Sequence, residues 1–200
     1  MKFIGNDKET FKGLFVQTHS VFNDLQQAQV VIMFNQRYIN FLGFFICHEL
    51  LLVGYYFQFV EGMEPCPLCI FQRVAFMAVG TVFLIAALHN PQSALLQRMY
   101  NGAGIAAALS GLGIAWRHIY LQGLPADQVP SCGPGLEYMM NIFSFSEVIQ
   151  KVMTGSGECA EVSWRFLGIT MPGWALIWFI GFTIFFVYRF WDVKPNEKPA

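Results

Sequence analysis

Four stretches of about twenty apolar residues constrain this chain more than any other feature, because a hydrocarbon core about 30 Å thick is crossed by roughly that length of helix at about 1.5 Å per residue. They run from Tyr38 to Val60, Leu68 to Leu88, Met99 to Leu121 and Pro172 to Trp191. Each carries few charges. The first holds His48 and Glu49 near its middle, and a carboxylate at mid-bilayer costs on the order of a few kcal/mol unless it faces protein or water. With 55% hydrophobic and only 12% charged residues, the chain is too apolar for a soluble domain. A net charge of −1 and the lack of a long basic run leave no electrostatic footprint for nucleic acid. The expected fold class is an all-α membrane protein, a four-transmembrane-helix up-down bundle.

Positive residues flanking the spans set its orientation. Arg37 precedes the first span, Arg98 lies between the second and third, and Arg189, Lys194 and Lys198 surround the end of the fourth. All fall on one side, expected to be cytoplasmic together with both termini. The other side carries a short loop at about 61–67 and a long one at about 122–171, where Asp127, Glu137, Glu147, Glu158 and Glu161 outnumber Lys151 and Arg165. On this reading residues 1–37 are an N-terminal cytoplasmic extension, 38–191 the transmembrane domain and 192–200 a cytoplasmic tail. No removable signal peptide is visible in the extension. There, Phe11, Leu14, Phe15, Phe22 and Leu25 recur at roughly helical spacing, which suits a helix on the membrane surface and, equally, a tail without function. In the long loop, Leu136, Met139, Met140, Phe143, Val148, Ile149 and Val152 approximate one helical face, a short amphipathic helix resting on the membrane or acting as a spacer.

Cys66, Cys69, Cys132 and Cys159 all fall on the extracytoplasmic side, whereas Cys47 sits within a span and reads as a small packing residue. In "EGMEPCPLCIFQR", the Cys66-x-x-Cys69 pair admits three uses: a disulfide framework, a zinc site or a redox relay. Zinc usually takes repeated knuckles, and the other two cysteines are 27 positions apart with no further Cys or His beside them in sequence. A stapling Cys132–Cys159 disulfide is the plain structural reading, but it leaves the close pair unexplained. A bridge over two intervening residues constrains little unfolded chain and suits a disulfide made to be opened.

Pro65 and Pro67 stop the incoming chain, and "LCIFQRVAFMAVGTVFLIAAL" starts a helix almost at Cys69. The free amides and dipole of a helix N-terminus favour a thiolate there. Arg73, one turn deeper, adds positive charge or holds an electronegative ligand; the plainer account is that it snorkels to the headgroups. The third span ends in "GIAWRHIYLQ", which returns Arg117 and His118 to the same leaflet. A sulfur, an arginine and a histidine at one membrane depth suit an apolar molecule bearing carbonyls, such as a quinone. An interface belt would explain Trp116 and Tyr120 but not their coincidence with the Cys-x-x-Cys pair.

The stretches "YFQFVEGMEPCPLCIFQR", "WRHIYLQGLPADQVPSCGPGLEYMM" and "GECAEVSWRFLGITMPGW" resemble the bacterial disulfide bond formation protein B family, DsbB, over roughly Tyr38 to Trp191. The resemblance implies a quinone-dependent thiol oxidase of the bacterial inner membrane that keeps a DsbA-like periplasmic protein oxidised. It implies a Cys132–Cys159 disulfide attacked at Cys132, release of Cys159, transfer of electrons to a Cys66–Cys69 disulfide, and delivery from Cys69 to ubiquinone or menaquinone. Arg73 and His118 fall where the family places quinone-site residues, and no metal is expected. DsbA is itself a strong oxidant, so ordinary thiol pools cannot reoxidise it, the DsbA, DsbB and quinone route being the known example of that poise. "LPADQVPSCGPG" brackets Cys132 with Pro and Gly, presenting an extended, accessible strip, and "TGSGEC" gives Cys159 a flexible tether. The resemblance assigns the extension no role. Two alternatives stand beside it. One is a vitamin K epoxide reductase-like protein running electrons in the opposite sense, against which the position of Cys132 argues; the other is a non-enzymatic membrane scaffold with a stapled loop.

Overall fold

The computed structural model describes residues 36–125, 127–129, 131 and 136–193. Its elements are α1 (Gln36–Phe59), α2 (Pro67–His89), α3 (Ala94–Gln122), α4 (Leu136–Ile142), α5 (Phe145–Thr154), α6 (Gly157–Ala160), a hairpin of β1 (Arg165–Phe166) and β2 (Ile169–Thr170), and α7 (Met171–Asp192). The four long helices begin and end within a few residues of the four apolar stretches. α1, α2 and α7 have the length and hydropathy to cross a membrane. α3, though 29 residues long, is less hydropathic because Gln97, Arg98, Asn101, Arg117, His118 and Gln122 lie along it and glycine takes the place of bulky residues.

Local chemistry sets the boundaries. Cys66 is the extended N-cap of α2, with Pro67 beginning the helix where its missing N–H costs nothing. α2 stops at Asn90, in the left-handed conformation with its N–H bonded to Ala86 O, and Pro91 follows. Ser93 then caps α3, its hydroxyl accepting from Leu96 N at 3.3 Å.

Packing explains the glycines of α3. The buried face Asn101, Gly104, Ala108, Gly111, Ala115, His118 and Leu121 recurs every three or four residues, the stripe of a packed helix. Phe186 of α7 fills the gap over Gly104 and Phe179 the gap over Gly111. These rings meet α2 in turn: Phe76 stacks on Phe179 with centroids 4.2 Å apart, and Phe83 on Phe186 at 4.6 Å. α1 docks on the other side of α2 through small residues, Gly43 over Phe83 and the buried Cys47 against Gly80. Arg98 reaches Val193 O at 3.4 Å and Arg189 hydrogen-bonds Gln36, so the basic residues at the start of α1, the start of α3 and the end of α7 share one end of the bundle.

The 122–171 segment differs from expectation. Its helix is not continuous: α4 ends at Ile142 and α5 restarts after Ser144, whose N–H and hydroxyl both donate to Glu147 Oε2 in a capping box. Burial of Met139, Val148 and Val152 is against the bundle, in one cluster with Cys66, Leu68, Leu121 and Cys159, rather than against lipid. Residues 165–170 form a hairpin, so the chain is not purely helical; its turn at Leu167 and Gly168 has positive φ at both positions, which glycine accommodates. Phe11, Leu14, Phe15, Phe22 and Leu25, Lys194 and Lys198, and, in the strip around Cys132, residues 126, 130 and 132–135 lie outside the described residues.

Candidate functional site

At the end of the bundle opposite those arginines, the first turn of α2 sets two sulfurs side by side. The Cys66 thiol donates to Cys69 Sγ at 3.1 Å, and Cys69 N–H donates to Cys66 Sγ at 3.4 Å, so the amides of the helix start are turned on the capping sulfur. Extending the α3 stripe past Ala115 brings in His118, 2% exposed, with Nε2 3.7 Å from Cys66 Sγ. On its other side His118 Nδ1 lies 3.0 Å from Gln72 Nε2. Gln72 is buried one turn beyond Leu68 on the α2 face that meets α3.

Cys159 joins this cluster from the long loop. It is fully buried in the one-turn helix α6, not on a free tether, and Ser156 Oγ lies 3.6 Å from its sulfur. Gly155, at φ 90, turns the chain where a side chain would run into Leu121. The neighbouring Cys66 thiol and then burial push the Cys159 thiol well above the ordinary cysteine range.

Beside Cys69 a cavity of about 370 Å³ opens between α1, α2, the start of α7 and the 161–166 segment. Its walls combine aliphatic residues with the aromatic rings of Phe57, Phe76, Trp164, Trp174 and Trp178, and its polar lining includes Arg73, His118 and Gln122 together with Glu64, Glu158 and Glu161. Trp164 is fixed between Phe57 at 5.0 Å and Phe166 at 5.9 Å, and Trp174 Nε1 donates to Phe166 O, so the hairpin closes one side. Arg73 is tied to α1. Its Nη2 donates to Gly54 O at 2.8 Å, its Nη1 to Gln58 Oε1, and the guanidinium lies 5.0 Å from the Tyr55 ring centroid. Gln122 Oε1 is buried without a donor among the described residues.

Of the residues singled out in the sequence, Cys66, Cys69, His118 and Cys159 come together, and Arg73 faces the adjoining cavity. Arg117 does not: its guanidinium turns away to donate to Met153 O at 2.8 Å and Thr154 O at 2.9 Å, capping the end of α5. Cys132 lies outside the described residues. Gln72 and Trp164 were not anticipated, although a glutamine within an apolar span is itself a signal.

Long apolar helices around a buried dithiol place the chain among membrane thiol oxidoreductases. The family model for disulfide bond formation protein DsbB matches residues 36–189. The chain is 56% identical over 144 residues to disulfide bond formation protein B of Nitrosococcus oceani, covering 72% of this chain and 85% of that one. It is 50% identical over 160 residues to the Hahella chejuensis protein of the same name, covering 80% and 96%, and 47% identical over 153 residues to that of Methylococcus capsulatus, covering 76% and 93%. The chain belongs to the DsbB family of disulfide bond formation proteins.

Proposed function

We propose that the chain is a quinone-dependent thiol oxidase of the inner membrane, reoxidising a DsbA-like periplasmic protein and delivering the two electrons to ubiquinone or menaquinone. One observation carries this reading: the Cys66–Cys69 pair meets the loop sulfur Cys159 on one side and borders an aromatic-walled cavity on the other. A relay between a soluble dithiol and a lipid-soluble acceptor needs that double contact. The bundle then has four transmembrane helices, with the arginine-rich end cytoplasmic and the cysteine end periplasmic.

In this reading a thiolate of the reduced partner attacks Cys132 of a Cys132–Cys159 disulfide, forming a mixed disulfide and releasing Cys159. The partner's second thiol displaces Cys132 and leaves the partner oxidised, with Cys132 and Cys159 now carrying two electrons. Cys159 attacks Cys66 of a Cys66–Cys69 disulfide, expelling Cys69; Cys132 then closes on Cys159 again and frees Cys66. The raised thiol pKa makes a resting Cys159 thiolate costly, so its sulfur is better bonded than free. His118 Nε2 is near enough to Cys66 to hold or move the proton that each exchange requires.

The cavity suits a quinone headgroup: it has flat aromatic walls, a guanidinium for a carbonyl oxygen and Gln122 Oε1, without a donor among the described residues, for a hydroxyl of the reduced ring. Bound there, the quinone would accept two electrons and two protons and leave as the quinol. Arg73, Trp164 and Trp178 would hold it against Cys69 and keep water out. The test is to incubate the purified chain with a reduced DsbA-like protein and a quinone. Thiols should disappear in step with quinol formation, and Cys69→Ser should abolish this while the protein still inserts. Absence of turnover in the unaltered protein removes the proposal. A mixed disulfide trapped through Cys132 in a Cys159→Ala background identifies the partner and the direction of attack.

A further inference from the structure

The sulfurs and the histidine have a second capability that thiol exchange does not use. Cys66 Sγ, Cys69 Sγ and a ring nitrogen of His118 all lie within 4.8 Å of one another, with Cys66 3.1 Å from Cys69 and 3.7 Å from His118 Nε2. Tetrahedral zinc, with bonds of about 2.3 Å to sulfur and about 2.0 Å to nitrogen, sets neighbouring donors about 3.5–3.8 Å apart. Small side-chain rotations bring all three onto one ion. Cys66 is 7% exposed and His118 2%, so this is not a casual surface chelate. Cys69 borders the cavity, which leaves the fourth position to water.

The surroundings also fit. A histidine bound through Nε2 must carry its proton on Nδ1, and Gln72 is the group beside Nδ1, at 3.0 Å. Turning the Gln72 amide over presents its oxygen as the acceptor. Two thiolates and an imidazole select a soft or borderline cation and reject magnesium and calcium.

We propose that, while Cys66 and Cys69 are reduced, they and His118 form a binding site for a Zn2+-class cation. On binding, each thiol gives its proton to solvent and no electrons move. Oxidation to the Cys66–Cys69 disulfide removes two of the three donors, so occupancy is redox-gated. A bound ion also ties up both sulfurs and holds the relay off. Only that last effect rests on the function proposed above; the binding does not.

Co2+ serves as the probe, added to the full chain in nanodiscs, freed of quinone and reduced with a phosphine. One equivalent should bind, with thiolate-to-cobalt charge-transfer absorption and the intense visible bands of a four-coordinate ion, and Zn2+ should displace it. The same protein oxidised with diamide, a control that keeps the fold, should show neither. Cys69→Ser and His118→Ala should lose the signal, Gln72→Ala should weaken binding by about 10–100-fold, and Cys47→Ala and Cys132→Ser should bind like the parent. Bands that persist after oxidation or in His118→Ala, or that vanish in Cys132→Ser, overturn the site. Thiol oxidation measured in parallel separates the two readings. Turnover without cobalt binding sinks the metal site alone; cobalt binding by a protein that never turns over sinks the function alone.

Discussion

Gly111→Ala tests whether the α3–α7 seam sets the geometry of the sulfur cluster. A Cβ at Gly111 would land inside contact distance of the Phe179 ring, which is fully buried and pinned by Phe76 stacked 4.2 Å away. The ring has nowhere to move, so the helices must part. Overpacking of this kind costs about 1–3 kcal/mol, partly offset by about 0.5–1 kcal/mol from replacing a helical glycine by alanine. Gly113, two residues on, has nothing within 4 Å of the point where a methyl group would stand and should show the helical gain alone. Comparing Gly111→Ala with Gly113→Ala therefore cancels the propensity term and leaves a packing difference of about 1–3 kcal/mol. Reversible unfolding in mixed micelles by SDS titration reads it. Phe179→Leu should couple to Gly111→Ala by about 0.5–3 kcal/mol in a double-mutant cycle. His118 lies seven residues beyond Gly111 on the same stripe, so the displaced helix should also widen the 3.7 Å gap to Cys66 and slow turnover. Equal stabilities for the two alanine variants within about 0.5 kcal/mol, or additivity with Phe179→Leu, would refute the reasoning.

Arg73→Ala should raise the KM for quinone about tenfold, the equivalent of one charged hydrogen bond, while leaving the KM for the thiol partner alone; Arg73→Lys should not restore it, because lysine lacks the fork. An unchanged quinone dependence would leave Arg73 as a brace for α1 only. Arg117→Ala frees Met153 O and Thr154 O, and amide exchange in α5 should quicken about tenfold, with α1 unaffected. The raised Cys159 pKa predicts that the reduced protein keeps its full stability below the unfolded thiol value of about 8.5 and loses it as pH rises further, by up to about 1.4 kcal/mol per pH unit from this group. Cys159→Ala should flatten that slope in denaturation measured from about pH 8 to 10, the window just above the free thiol value; an identical slope would mean the burial is not felt.

The four helices were legible because twenty-residue apolar runs and their Pro, Asn and Ser boundaries are local signals, and Pro67 after Cys66 marks the N-cap from sequence alone. The pairing of Arg117 with His118 misled for an equally local reason. Successive residues on a helix point about 100° apart, so only one of the two can face α2. The spacing Gly104, Ala108, Gly111, Ala115 and His118 already said which, since small residues at three and four mark the packed face. Following that stripe to its end turns Arg117 outward and puts the histidine beside the Cys-x-x-Cys pair, supplying the ligand that the linear sequence hides 49 positions beyond Cys69. Cys159 was different in kind. "TGSGEC" has the composition of a tether, and nothing in it reveals that Gly155 turns against Leu121 or that α6 tucks the sulfur into the core under α5. That burial needs Cys66, Leu68 and Leu121 from α2 and α3 as well as Met139, Val148 and Val152 of the loop helices, and no local pattern around Cys159 encodes the first three. The consequence is physical: helix packing alone fixes the depth of Cys69 and His118, whereas the meeting of Cys66 with Cys159 depends on the loop holding its fold, which makes the loop side the easier of the two to disengage.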